Sequence, residues 1–212
     1  MAIDSKSGMC FRLHKLFNAM PRFGWNNIND IGFNDGIYIF FESGETYHGM
    51  DRIVRVGTHT GNGNLCKRLK SHYRDGGSSI FRTNIARAIL GKESVSHPYL
   101  SVLKKQVYKR KSVLGYDHEF NNELERRVSE YMREHFSFTC FSVVTSQERK
   151  RLEEGVIATL NRSPSFIAGS EWLGKHSTKY KIAQSGMWLE QGLNSAPLSE
   201  SECLDIEVGC KH

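Results

Sequence analysis

A chain of 212 residues, 39% hydrophobic and 25% charged, has the size and composition of one elaborated globular domain with a real core. No stretch nears the ~18 apolar residues of a membrane span. Met1 to Lys15 has no uninterrupted apolar run, which argues against a secretion signal. The net charge of +6 is uneven: Ala196 to His212 carries −3 and the rest +9, a basic body with an acidic tail that suits a polyanionic partner.

Residues 1–30 read as an N-terminal extension with a helical piece from Phe11 to Met20, ended by Pro21. Asp35 to Phe41 is rich in β-branched and aromatic residues and reads as a strand. Ser43 to Asp51, with Gly44 and Gly49, reads as a hairpin loop, and Arg52 to Gly57 as the returning strand. Thr58 to Gly63 is a turn, after which Asn62 or Asn64 can cap a helix running to about Tyr73. Another helix is predicted from Thr83 to Leu90. Glu93 to Tyr116 shows no clear pattern, but Lys104 to Lys111 holds five cations in eight positions: Lys104, Lys105, Lys109, Arg110 and Lys111. A helix over Glu119 to His135, a strand over Phe138 to Val144 and a helix from Ser146 to about Leu160 follow, and Asn161 to Pro164 ends the last. The remainder, with Trp172 and Trp188 among glycines, reads as a looped flank packing on the core.

The predicted class is therefore α/β, a small three-stranded sheet flanked by helices, with a hairpin at its start. Its core spans 31–162 with a basic insertion at about 93–118, and the flank at 163–212 ends in the acidic tail. The five cysteines are scattered with no CxxC pair, which signals neither a zinc cluster nor a disulfide framework and suits reduced thiols in a cytoplasm.

Strand alternation sends Ile37, Ile39 and Phe41 to one face and Tyr38 and Phe40 to the other. If Val54 and Val56 pack with the first set, Tyr38 and Arg55 emerge on the same side. A strand tyrosine is ordinarily core packing, but a cation on its face raises its interest, because arginine rarely sits unpaired in a core. In the helix after the turn, Leu65, Cys66, Leu69 and Tyr73 form the apolar stripe. Arg68 and His72, four apart, flank it along one edge, while Lys67, Lys70 and Arg74 fall on the back. A surface Arg–His pair is the plain alternative. In the helix after the third strand, Leu152, Val156, Ile157 and Leu160 form the apolar arc, and Glu153 falls inside it while Glu154 points away with Lys150. A carboxylate on an apolar face costs several kcal/mol unless it is paired or holds a cation. Either a buried arginine or a bound Mg²⁺ would explain it.

Together these positions resemble the GIY-YIG nuclease superfamily. Gly36-Ile37-Tyr38 matches its first signature, and Arg55-Val56-Gly57 stands where most members have Tyr-Ile-Gly or Tyr-Val-Gly. Arg68-Leu69-Lys70-Ser71-His72 matches the family's Arg-Leu-x-x-His, and the register of its Glu-x-x-x-Ile-x-x-Leu helix selects Glu153. The match runs from about Asp35 to Asn161. The resemblance implies an antiparallel sheet and one-metal hydrolysis of DNA. Glu153 would hold Mg²⁺ or Mn²⁺, Tyr38 would act on the attacking water, Arg55 and His72 would assist it, and Arg68 would clamp the phosphate. Arg55 is the departure: it stays charged and cannot accept a proton, although a few restriction enzymes of this family are similar in carrying a cation there.

Neither Asn161 nor Ser170 is assigned the role of the asparagine that many members carry after this helix. The basic run from Lys104 to Lys111 would track the DNA backbone. Cutting both strands with one site per chain would favour a homodimer on DNA. Two rivals stand beside this expectation: a DNA-binding or regulatory protein that has lost catalysis, marked by Arg55, and an RNA-directed protein.

Overall fold

The computed structural model describes residues 5–74, 79–105 and 107–210. Strands β1 (Gly36–Tyr47), β2 (Met50–Gly57) and β3 (Phe136–Ser142) form one antiparallel sheet in the order β2-β1-β3. Gly36 to Phe41 are buried throughout, because β1 lies in the middle of the sheet with helices on both faces. The hairpin is tighter than the glycines suggest. The strands continue to Tyr47 and resume at Met50, and His48 and Gly49, at φ 49° and 79°, make the turn. Two successive positive φ values match the twist of the flanking strands, so a two-residue turn suffices where a loop over 43–51 was predicted.

One irregularity sets the site. Phe40 pairs with Arg55 but Phe41 pairs with Ile53, so Val54 is an extra residue, a β-bulge. Arg55 therefore shares the face of Tyr38 and Phe40, as alternation predicts. Val54, however, packs with Tyr38 and Phe40, and Ile53 takes its expected place beside Ile37, Ile39 and Phe41. The extra residue reverses alternation below Arg55.

Against the Tyr38 face lie α2 (Leu65–Tyr73), α3 (Ile80–Glu93) and α5 (His118–His135). Against the other face lie α1 (Ser5–Ala19), α6 (Ser146–Asn161) and α8 (Glu200–Gly209). Caps fix several starts: Ser79 accepts from Arg82 N–H at 3.5 Å, Asp117 from Phe120 N–H at 3.0 Å, and Thr145 from Glu148 N–H at 3.2 Å. Thr145, rather than Ser146, is thus the cap of α6. The patternless stretch after α3 folds into a short α4 (Leu100–Leu103) and a 3-10 turn at Val107–Ser112. Among the described residues no helix is long and apolar enough to cross a membrane.

Both ends of the chain belong to the packed layers. The acidic tail forms α8 behind a capping box of Ser199 and Glu202, and its carboxylates meet cations of the body: Glu207 with Arg12 at 2.9 Å and Glu202 with Arg151 at 2.7 Å. The C-terminal flank is fastened to β1 by two buried carboxylates. Glu42, 3% exposed, accepts from the indole N–H groups of Trp172 and Trp188, each at 2.7 Å, and from the Tyr131 hydroxyl. Glu45 binds Arg52 at 2.6 Å, and Arg52 donates on to the Gly186 carbonyl at 2.6 Å. Before the start of α7 (Tyr180–Ser185), and after it, the chain thus returns to the sheet.

Helix α1 is tied to β2 by His14, which is fully buried. Its Nδ1–H donates to the Cys10 carbonyl at 2.9 Å and its Nε2 accepts from Ile53 N–H at 3.2 Å. Burial pushes its pKa down to about 4, so the folded protein takes up this proton less readily than the unfolded chain. The neutral ring therefore contributes stability above the unfolded value near 6.5 that is lost as pH falls toward about 4. Acid is expected to remove about 3 kcal/mol over that window in urea titrations, and His14→Gln to flatten the dependence. An unchanged pH profile in the variant contradicts this assignment.

Candidate active site

The cleft lies at the end of β2, where helices from both layers reach past the strand. It encloses about 450 Å³, and Tyr38, Arg55, Arg68 and Glu153 all line it. Tyr38 comes from the middle strand, Arg55 from the bulged edge strand, Arg68 from α2 and Glu153 from α6. Both signature glycines serve close approach: a Cβ on Gly57 would stand 2.4 Å from the Tyr38 hydroxyl, and one on Gly36 would stand 2.2 Å from the Phe141 carbonyl. Any side chain at 57 would push the tyrosine ring out of place.

Tyr38 is the cleft floor and has no exposed surface. Its hydroxyl is 3.0 Å from His72 Nε2, and His72 Nδ1 is 2.7 Å from the Ser79 hydroxyl that caps α3. His72 is fully buried, which rules out the alternative of a surface Arg–His pair: Ser79 and Phe81 at the start of α3 cover this edge of α2. Burial first, then the charges of Arg55, Arg68 and Arg82, holds the ring far below its usual pKa, so it is neutral.

Arg55 is fixed rather than free. Its Nη1 donates to the Trp188 carbonyl, and its guanidinium carbon stands 4.7 Å above the Phe81 ring. Its Nε is buried without a hydrogen-bond partner among the described residues. Burial disfavours its charge and Arg68 adds to that cost, while Tyr38 and Glu153 offset it. Glu153 has the complementary problem. Burial raises its pKa, and Arg55, the Thr58 backbone N–H and Arg68 only partly counter this, with Glu154 working the other way. Both explanations offered for a carboxylate in the apolar arc therefore have a footing here: cations lie near, and burial still dominates.

Glu154 and Lys150, expected with Ala158 to point away from the apolar arc, line the cleft as well, and Ala158 is fully buried. The cleft opens on the side of α6 between its apolar arc and solvent, so both faces of that edge reach it. Glu154 accepts from the Ser195 hydroxyl at 3.3 Å. Three or more His, Cys, Asp or Glu side chains are nowhere gathered as a metal cluster among the described residues. A donor set of one half-buried carboxylate with a second beside it suits an ion of the Mg²⁺ kind, which keeps waters and completes its shell with substrate phosphate oxygens.

The wall from Thr58 to Gly61 is held by Arg149, fully buried, whose guanidinium donates to the Gly61 carbonyl at 2.7 Å and the Val144 carbonyl at 2.6 Å and lies 3.2 Å from Asp35. Sequence reasoning missed this arginine and also Asn84 of α3, which lines the cleft at 2% exposure. The available signal was polar residues at buried helix positions: Arg82, Asn84 and Arg87 punctuate an otherwise apolar helix. Asn161 donates to the Leu193 carbonyl at 3.1 Å, and Ser170 is exposed.

Of the five cations predicted to track DNA, Lys104, Lys105, Lys109 and Lys111 are exposed. Arg110 is not one of them. It is 2% exposed, donates to the Thr83 hydroxyl at 2.7 Å and lies 3.5 Å from Glu125, which also binds Arg82 at 2.7 Å. It is a buttress of α3 against α5. Gln106, inside the same run, lies outside the described residues.

A family model described as GIY-YIG domain matches residues 24–205, while no curated protein and no solved structure gives a match. That match takes in the whole sheet, both arginines of the cleft and the C-terminal flank that holds one of them. With its two signatures on paired strands and Glu153 across the cleft from them, this chain belongs to the GIY-YIG domain family, a family of nucleases.

Proposed function

We propose that this chain is a metal-dependent endonuclease that hydrolyses DNA phosphodiester bonds in the cleft at the end of β2. The observation that carries the reading is the convergence of Tyr38, Arg55, Arg68 and Glu153, brought from four elements onto one cleft, with neutral His72 bonded behind the tyrosine.

Bound at Glu153, Mg²⁺ or Mn²⁺ would supply electrostatic stabilisation of the charge that grows on the phosphate and the leaving 3′-oxygen. The protein's own groups account for the rest. Arg68, half-buried and permanently charged, would grip a phosphate oxygen with its planar fork. Arg55, immobilised by Trp188 and Phe81, would present a fixed positive charge beside Tyr38. Tyr38 would orient the attacking water, its hydroxyl held 3.0 Å from neutral His72, whose Nδ1 is in turn fixed by the Ser79 hydroxyl. Because Tyr38 has no exposed surface, a productive complex requires the cleft floor to open onto its hydroxyl.

Nicking of supercoiled plasmid under Mg²⁺ or Mn²⁺ titration tests the reading. Metal-dependent conversion to open-circular and linear forms is expected, with EDTA stopping it. Retention of DNA without nicking in either metal would assign the scaffold to binding alone. A parallel arm with labelled RNA decides between the two polymers. The exposed lysines at 104, 105, 109 and 111 support a nucleic-acid partner through sequence-independent contacts.

A further inference from the structure

Helix α3 borders two hollows. Asn84 opens on the cleft already described, and one turn further on Arg87 opens on a second hollow of about 720 Å³. Its wall is polar: Arg87, Ser96, His97, Ser101, Lys104 and Lys179 all take part. The two hollows share a partition. Besides α3 it contains the ion pair of Lys179 and Glu190 at 3.1 Å, whose lysine lines the second hollow and whose glutamate lines the cleft.

Arg87 is the unusual group. It is 7% exposed, and its Nη2 donates to the Leu103 carbonyl at 2.8 Å. Its Nε is buried with no hydrogen-bond partner, and it forms no ion pair with a carboxylate among the described residues. The carboxylates of the neighbourhood are engaged elsewhere: Glu190 by Lys179, and Glu93 by Arg127 and by His97 at 4.0 Å. Glu190 offsets the burial of this guanidinium only in part, and Arg110 adds to its cost; an anion entering the hollow would answer the remainder. His97 accepts from Tyr99 N–H at 3.2 Å through Nδ1, and its Nε2 faces Glu93, so the ring is a fixed part of the wall. Exposed Lys104 completes the set at the rim.

We propose that the second hollow binds a phosphate group, and that in the working complex this is a backbone phosphate of the same nucleic-acid strand that is cut in the neighbouring cleft. The proposal rests on the nuclease reading and specifies how that site holds its substrate. A planar fork from Arg87 and a point charge from Lys104 are complementary means of gripping phosphate oxygens. With one phosphate held on each side of α3, the strand would lie across Asn84, and its register in the cleft would be set from outside the reacting groups.

The test is DNA binding by the intact chain in EDTA, measured by fluorescence anisotropy across a salt series. Lys104→Ala is expected to weaken binding several-fold and to lower the slope of log affinity against log salt by about 1, the signature of one lost phosphate contact. Arg87→Lys keeps the charge while losing the fork and is expected to weaken binding with the slope retained. Lys15→Ala, on the exposed side of α1 in the opposite layer, should change neither quantity. Thermal shifts with millimolar inorganic phosphate against chloride at matched ionic strength form the second arm. A shift lost in Lys104→Ala together with an unchanged DNA slope would mean a free-phosphate site and overturn the strand assignment. An unchanged slope with no phosphate shift overturns the hollow as a phosphate site altogether. Plasmid nicking is read separately. A wild-type chain that fails to nick but shows the slope change keeps the hollow and loses the nuclease reading.

Discussion

Glu153→Gln is expected to reduce plasmid cleavage by about a thousandfold or more, the scale on which several kcal/mol of transition-state stabilisation is lost. Gel-based nicking at saturating Mg²⁺ measures it. The same variant should unfold at the same temperature as the parent or higher. In the folded protein burial raises the Glu153 pKa, so its ionisation costs stability as pH rises through that value. A neutral amide of the same shape does not carry that cost. DNA affinity in EDTA is expected to hold, because the change removes a negative charge from a cleft meant for phosphates. Any stabilisation of the parent by Mg²⁺ should vanish. The neighbouring Glu154 provides the internal control, since it too lines the cleft. Normal cutting by Glu153→Gln with loss in Glu154→Gln would move the metal-bearing carboxylate by one residue.

The largest stability effect is expected at Glu42. Glu42→Ala strands two buried indole N–H groups, those of Trp172 and Trp188, and an orphaned buried donor costs about 1–3 kcal/mol. A total near 4 kcal/mol is expected from urea denaturation, while Glu42→Gln, whose carbonyl can still accept from the indoles, should cost about 1 kcal/mol. Activity should fall with Glu42→Ala even in the folded fraction. Trp188 carries the carbonyl that holds Arg55, so loosening its indole loosens a cation of the cleft. Equal stability of the alanine and glutamine variants would show that the indoles find other partners.

These two carboxylates differ in how far the sequence reveals them. Glu153 was legible because a helix repeats at 3.6 residues, so its place among Leu152, Val156 and Ile157 could be projected from spacing alone. Helices α2 and α5 were legible for the same reason, since each buries a face of its own, while β1 was legible from its run of β-branched and aromatic residues. Glu42 was not legible, because nothing local says that two tryptophans over a hundred residues later will seek it. The bulge at Val54 and the two-residue turn at His48 and Gly49 were hidden likewise, since register depends on the partner strand. The sequence could place His72 only at the edge of an apolar stripe, because the start of α3, which buries it, approaches through tertiary packing. Arg110 was misread in the opposite sense. A charge run suggests a solvated face, yet Glu125 and Thr83 draw one member inward.

The attachment of Trp188 to β2 bears on how this chain could be engineered. β2 is a sheet edge, and the Trp188 N–H meets the carbonyl of bulged Val54 at 2.8 Å while its own carbonyl meets Arg55. A fragment cut to the signature-bearing stretch, ending near Asn161, would keep Tyr38, Arg55, Arg68, His72 and Glu153 in its sequence. It would also uncover a strand edge and free the arginine from its anchor, inviting self-association in place of catalysis. Fusions to a separate DNA-reading module should therefore be joined beyond α8, with the whole C-terminal strap retained. The portable unit is set by a backbone hydrogen bond rather than by the reach of the recognisable motifs.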